Sequence, residues 1–394
     1  MNFGRVILRN TQGIRCSAWR SCGNGRGLLG SKFRQLHIYP NLLKEEAKND
    51  SALLRNTFIG LCSVGLLGSA YYEYKYRGVR RYPSEIRTPL RKALLFHKYK
   101  EDPEKALPYY EVAVDLALNS SQLEVTSPEV TGLIIQYASF YEDQKNWVKA
   151  IQVYKKAFDI LIPDSDKESS IEKLSNFEEE LEAPKEVTHV VGEKLIRAVG
   201  IAQKLGELYE KIGDKAQAEK CYVWAVECLL SHQIVKSTPI SQGSGQHFEL
   251  PEWIALTDIG ASLESLAAFY ALDQKYKYAI PLYIRALSTL KESDCHASVI
   301  MCNISEAFAG LGQHKEAKIW AKKGLTVARQ GKNSPECDQS CGVLLYNMGV
   351  IHEMENETES AVRYYTQSLN HARKIGYKEC QREAAQALDH VNKK

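Results

Sequence analysis

The amino-acid sequence predicts an all-α protein, a superhelix of about six helix pairs behind a single N-terminal transmembrane helix. Three observations lead to this prediction: a basic leader without acidic residues, a short uncharged segment after it, and a spacing of small and aromatic residues that recurs through the rest of the chain. The 394 residues are 25% charged and 44% hydrophobic, which is usual for a folded protein. A formal net charge of only +3 gives no global argument for nucleic-acid binding, and we predict none.

The leader contains eight basic residues and no acidic residue before Glu45. An arginine-rich, serine-containing composition without acids is typical of mitochondrial transit peptides. A secretory signal would need a compact apolar run directly behind its basic start, and this sequence has none. We therefore predict a mitochondrial transit peptide and linker over residues 1–50, with a disordered basic tail as the alternative.

The uncharged segment TFIGLCSVGLLGSAYY, at Thr57–Tyr72, is followed by two further tyrosines, Tyr74 and Tyr76. A helix that spans a bilayer needs about 20 residues, and aromatic residues at the membrane interface can complete that length. We predict one transmembrane helix over residues 53–76; a buried amphipathic helix is the alternative. Basic residues flank both ends and do not decide its orientation, but a transit peptide followed by one span predicts a C-terminal part in the intermembrane space of mitochondria.

The rest of the chain repeats a pattern of a large-small pair, an aromatic residue, and then alanine, aromatic, alanine. Its clearest copy is formed by Leu205–Gly206, Tyr209, Ala218, Tyr222 and Ala225. The first alanine of the pattern recurs in six copies, at Ala106, Ala150, Ala218, Ala279, Ala317 and Ala361. This is the tetratricopeptide pattern, in which small residues let two packed helices approach closely.

We predict a tetratricopeptide-repeat domain over residues 85–392, closed by a terminal capping helix at Lys378–Val391. The recurrent alanines lie further apart than the 34 residues of a regular array, so we expect extended second helices or insertions between repeats. Two insertions are predicted: the acidic segment 163–186 and the polar, glycine- and serine-rich segment 231–251. Both have a composition typical of mobile segments.

In the tetratricopeptide pattern the first helix of each pair lines a concave face. The pattern turns certain positions of this first helix toward the concave face. From the second repeat onward, the corresponding positions of this chain hold six glutamates and no basic residue. The predicted groove consists of Glu142, Gln203, Glu207, Glu210, Glu264, Cys302, Glu306, Tyr346 and Glu353. The lysine, arginine and asparagine clamp that holds acidic chaperone tails is missing, so the groove favours extended, apolar or basic polypeptides. A merely solvated acidic face is the alternative.

No motif indicates chemistry. The sequence lacks HExxH, CxxC, GxSxG and GxxxxGK[ST], so we predict no enzyme, no cofactor and no metal site. The ten cysteines, including Cys295 and Cys337, are interpreted as small buried hydrophobic residues. His352 stands at an aromatic position of the repeat, which indicates packing rather than catalysis.

The segment RYPSEIRTPLRKALLFHKYKEDPEKALPYYEVAVDLA at 81–117 and the segment EVTGLIIQYASFYEDQKNWVKAIQVYKKAFDIL at 129–161 resemble a fungal family. These are the tetratricopeptide adaptor subunits of the mitochondrial inner-membrane i-AAA protease. The resemblance implies an inner-membrane protein without catalysis, which captures unfolded or misfolded polypeptides and delivers them to the protease. An anchored assembly factor for a respiratory-chain complex is the main alternative, and an outer-membrane import receptor is a third.

Overall fold

The computed structural model describes residues 77–163, 185–232, 234–236, 247–291, 293–331 and 334–393. The predicted transit peptide, the predicted transmembrane helix at 53–76 and most of the insertion at 163–186 lie outside these residues. Within the described part of the chain, no helix has the length and apolar character needed to cross a bilayer.

The chain divides into two compact units between Asn146 and Trp147. The N-terminal unit opens with a 3-10 helix and continues with three α-helices, of which the first two pack against each other. Its elements are the 3-10 helix Arg77–Arg81, α1 (Ser84–Lys98), α2 (Pro103–Leu118) and α3 (Pro128–Asp143).

The C-terminal unit contains ten further helices, so the described chain has 13 α-helices. Its helices are α4 (Trp147–Leu161), α5 (Lys185–Ile212), α6 (Lys215–Ser231), α7 (Leu256–Leu272), α8 (Tyr276–Leu287), α9 (Cys295–Gly310), α10 (His314–Gln330), α11 (Pro335–Met354), α12 (Thr358–Ile375) and α13 (Lys378–Asn392). From α5 to α12 the helices pack as four pairs, the second helix of each pair packs against the first helix of the next pair, and α13 closes the array on α12.

Two features confirm the repeat register. The recurrent alanine is fully buried in all six copies, at Ala106, Ala150, Ala218, Ala279, Ala317 and Ala361. Five residues before each alanine the backbone turns through the left-handed region, with φ between 51° and 84°, at Glu101, Lys145, Gly213, Gln274, Gly312 and Asn356. Four of these six residues are not glycine, and each left-handed non-glycine residue costs about 1–2 kcal/mol. The helix packing therefore imposes the turn geometry.

The large-small pair of the repeat has a direct steric reason. A Cβ atom added to Gly206 would lie 2.7 Å from Cζ of Tyr222, whose ring comes from the paired helix. In the last pair, a Cβ atom on Gly349 would lie 2.6 Å from Cδ1 of Tyr365. In these two pairs the tyrosine of the second helix thus fills the space that the small residue of the first helix leaves open.

The structure corrects two details of the prediction. The segment 231–251 contains a two-stranded antiparallel sheet of β1 (Ile234–Lys236) and β2 (His247–Glu249), in which Val235 pairs with Phe248. The extra length of the third repeat lies in its first helix, because α5 has 28 residues, whereas extension was expected in the second helices. Periodicity alone did not show this, since the acidic insertion before α5 hides where the helix begins.

Ala218→Trp tests the register. Because Ala218 is fully buried between α5 and α6, we expect overpacking to lower the free energy of unfolding by about 1–3 kcal/mol, measured by thermal melting. Lys220→Trp, at an exposed position of the same helix, is the matched control and should leave the melting curve unchanged. Equal melting temperatures for the two variants would contradict the register.

Candidate functional site

Eight of the nine predicted groove residues lie on first helices of the C-terminal unit, on α5, α7, α9 and α11. The ninth, Glu142, lies in the last turn of α3 in the N-terminal unit and is half-buried. The face formed by α5, α7, α9 and α11 is called the first-helix face below.

Four of the predicted residues have almost no exposed surface: Gln203, Cys302, Glu306 and Tyr346 are at most 6% exposed. Gln203 and Cys302 lie at contacts between neighbouring first helices, whereas Tyr346 packs on Tyr365 of α12 with ring centroids 5.4 Å apart. Gln203 donates a hydrogen bond to the Ser262 hydroxyl, and Nδ2 of Asn347 donates to Sγ of Cys302 over 3.3 Å. These four residues hold the array together, and the surface open to a ligand is narrower than the predicted groove.

Two predicted glutamates anchor tyrosines of their own repeat. The Tyr222 hydroxyl donates to Glu210 over 2.7 Å, and the Tyr365 hydroxyl donates to Glu353 over 2.9 Å. Both pairs are 12 residues apart, so the same bond recurs in the third and sixth repeats. Burial, together with the Glu353 carboxylate, raises the pKa of Tyr365 far above its usual range, so the hydroxyl remains a donor.

Glu264 takes part in a three-helix ion cluster. His296, in the first turn of α9, places Nε2 2.7 Å from a Glu264 oxygen on α7 and Nδ1 2.9 Å from a Glu336 oxygen on α11. The pKa of His296 is raised to about 10, most by its hydrogen bond to Glu264 and next by its hydrogen bond to Glu336. The imidazole is therefore protonated at neutral pH and donates from both nitrogens. The triad Glu264–His296–Glu336 joins three successive first helices and leaves a net charge of −1.

A disulfide between Cys295 and Cys337 links α9 to α11 beside this triad, with their Cα atoms 4.9 Å apart. Interpreting these two cysteines as inert hydrophobic residues was wrong, whereas Cys302, Cys341 and Cys380 are buried thiols as expected. The disulfide packs against the backbone at Gly331, where an added Cβ atom would lie 2.1 Å from Sγ of Cys337 and could not be accommodated.

Glu207 is a predicted groove carboxylate that remains partly exposed. Its side chain is 36% exposed and pairs with Lys204 of the same helix over 3.0 Å. An exposed ion pair of this kind contributes only about 0–1 kcal/mol to stability. Its carboxylate can therefore readily exchange the lysine for another cation. A ligand can therefore reach three acidic groups on the first-helix face: the predicted Glu207 and Glu264, and the newly found Glu336.

One cluster has the composition of a metal site: single ligand atoms of His352, Glu355 and Glu357 lie within 4.8 Å of one another. The ammonium group of Lys318 is paired with both carboxylates, however, so a cation is already present among them. The His352 ring stacks on Tyr364 with ring centroids 5.1 Å apart, as a residue in an aromatic repeat position should. We interpret this cluster as a structural ion pair.

Sequence reasoning missed His296, Glu336 and the disulfide, although a signal was present. Cys295 and His296 open one first helix, and Glu336 and Cys337 open the next, so equivalent turns of neighbouring helices carry matching partners. These four residues lie at the starts of successive first helices, whereas the groove was predicted only from positions that face the concave side. A comparison of helix starts therefore predicts that the four residues are neighbours.

Comparisons with known proteins agree with this architecture. Residues 199–227, within the pair α5–α6, match the family model described as tetratricopeptide repeat. A TPR repeat-containing protein of Schizosaccharomyces pombe is 25% identical over 328 residues, which cover 79% of this chain and 79% of that protein. The fold and these similarities indicate an all-α helical repeat of the tetratricopeptide type.

Two solved structures are also similar. The crystal structure of BtubC from P. vanneervenii has a TM-score of 0.40 and 16% identity, covering 65% of this chain and 94% of that one. A signal-transduction ATPase with a tetratricopeptide repeat sensor from Pyrococcus horikoshii has a TM-score of 0.47 and 13% identity, covering 81% of this chain and 43% of that one. Neither similarity supports a functional argument.

The triad gives a pH dependence with a definite sign. The pKa of His296 rises on folding from its usual 6.5 to about 10, so its stabilisation is complete below pH 6.5 and is lost as the pH rises through 10. We expect the wild type to lose stability relative to His296→Gln by about 1 kcal/mol per pH unit within that window, measured by urea unfolding. His314→Gln, whose imidazole has no carboxylate partner among the described residues, is the control. A constant difference between wild type and His296→Gln across the window would contradict the triad.

The disulfide closes a loop of 42 residues, and the loss of chain entropy predicts about 3–4 kcal/mol of stabilisation. We expect Cys295→Ala combined with Cys337→Ala to lower the melting temperature, and dithiothreitol to lower it in the wild type. The reductant should have no effect on the double variant, because the remaining described cysteines are free thiols. Melting of the wild type that is insensitive to reduction would contradict the link.

Proposed function

We propose that this protein is a non-catalytic adaptor, which binds unfolded or misfolded polypeptides and delivers them to the i-AAA protease of the mitochondrial inner membrane. The observation that carries the proposal is the sixfold repeat register, since arrays of such helix pairs present extended surfaces for binding polypeptides. The link to the protease rests on the resemblance of segments 81–117 and 129–161 to its adaptor subunits.

The proposed location is the inner membrane, with the repeats in the intermembrane space. The Cys295–Cys337 disulfide supports it, because disulfides persist in oxidising compartments and are rare in reducing ones. The leader and the uncharged segment at Thr57–Tyr72 supply the proposed targeting and the single anchoring span.

The proposed ligand is an extended chain with basic and apolar residues. Glu207, Glu264 and Glu336 supply acidic groups along α5, α7 and α11, and the internal pairing of the other glutamates limits the charge that the face presents. A bound lysine or arginine could exchange with Lys204 at Glu207 without disturbing the packing between helices.

Binding of a denatured model polypeptide tests the proposal. The purified full chain should bind a reduced and alkylated, permanently unfolded protein rich in lysine, measured by fluorescence anisotropy. Because an exposed ion pair contributes about 0.2–1 kcal/mol, Glu207→Lys should weaken binding up to about fivefold. Glu316→Lys, at an exposed position of the second helix α10, makes the same charge change away from the first-helix face and should have no effect.

Three outcomes are informative. No binding of unfolded protein by the wild type would refute the adaptor function and favour an assembly factor, which ignores denatured chains. Equal loss in the two variants would show a general charge effect. Equal binding by both variants and the wild type would exclude Glu207 from the binding surface.

A further inference from the structure

The start of the N-terminal unit is strongly basic. Residues 77–100 contain eight lysines and arginines and a single acid, Glu85, although the whole chain has a net charge of only +3. The charge is concentrated in the 3-10 helix and α1, which are the first described elements of the chain.

Helix α1 turns one face inward and a basic face outward. Its buried residues, Ile86, Leu90 and Ala93, follow one another at helical spacing. Lys92 and Leu95 lie on the opposite side, and the Leu95 side chain is 36% exposed. A helix that combines exposed basic and large apolar residues on one side has the composition of a surface that contacts lipid headgroups.

Local contacts hold this surface in place. The Arg87 guanidinium donates to the Tyr82 carbonyl over 2.9 Å and to the Arg80 carbonyl over 3.2 Å, which fastens the 3-10 helix to α1. The Lys92 ammonium lies 5.2 Å from the Tyr109 ring centroid. The Lys100 ammonium lies 5.1 Å from the Phe96 ring centroid. Both lysines remain exposed to solvent.

We propose that Lys92, Leu95 and Lys100 form a docking surface for an anionic lipid bilayer. This proposal rests on the proposed membrane anchor. Only the residues between Tyr72 and Arg77 separate the uncharged segment from the 3-10 helix, and a chain of that length spans at most about 17 Å. Basic residues next to a membrane are attracted to anionic headgroups within about a Debye length, near 8 Å at physiological salt. An acidic polypeptide would satisfy the charges, but neither the nearness to the membrane segment nor the exposed Leu95 favours it.

Lysine labelling in vesicles tests this surface. The full chain is mixed with phosphatidylcholine vesicles or with phosphatidylcholine vesicles that contain one-third phosphatidylserine, and is treated with an amine-reactive ester before mass spectrometry. Labelling of Lys92 and Lys100 should fall several-fold with the anionic vesicles and recover in about 0.5 M salt, where charges are screened beyond a few ångströms. Lys220 and Lys315, exposed lysines of the C-terminal unit, are internal controls and should label equally in both vesicles.

The charge reversal Lys100→Glu removes one basic contact, worth about 1 kcal/mol, and should restore labelling of Lys92 in anionic vesicles by about fivefold. Equal labelling of Lys92 in the two vesicles would overturn the proposal, as would protection by polyglutamate but not by anionic vesicles. Failure of the proposed membrane anchor would give a different result from failure of the docking surface. Without the anchor, the chain would not sediment with phosphatidylcholine vesicles, whatever the labelling of its lysines in the presence of anionic vesicles. Failure of polypeptide binding would leave the labelling result unaffected.

Discussion

The close approach of paired helices at a fully buried alanine is the contact on which the rest of this structure depends. The buried alanine recurs six times, each time with a left-handed turn five residues earlier. A side chain larger than alanine at these points would separate the helices, and the tyrosine that covers the neighbouring small residue would lose its place. Because one pair buries too little surface alone, the array is stable only as successive pairs cover each other.

The same close approach shapes the functional surface. Since neighbouring first helices touch, side chains at the inward offsets meet across the contact, and polar groups there must find partners. Gln203 bonds across this contact, His296 joins two carboxylates and Cys295 joins Cys337. Glu210 and Glu353 instead accept hydrogen bonds from tyrosines of their own repeats. The first-helix face is therefore a cross-linked surface on which few acidic groups remain exposed.

The repeat register was accessible from sequence because it depends on residue size at fixed spacing. The buried alanines and the terminal helix α13 are found where the pattern placed them. The small sheet of residues 234–249 and the 28-residue α5 were not, because both lie next to polar segments that carry no periodicity. The burial of Cys302 and Tyr346 was also missed, since a position facing a neighbouring repeat has the same offset as one facing a groove.

The proposed delivery of polypeptides to a membrane protease in an oxidising compartment rests on the repeat surface, the disulfide and the resemblance of segments 81–117 and 129–161. Crosslinking in intact mitochondria, followed by affinity purification under alkylating conditions and mass spectrometry, tests this most directly. The account predicts i-AAA protease peptides in the eluate, together with a disulfide-linked peptide pair that contains Cys295 and Cys337. Enrichment of one respiratory-chain complex without the protease, with both cysteines recovered as alkylated thiols, would contradict it.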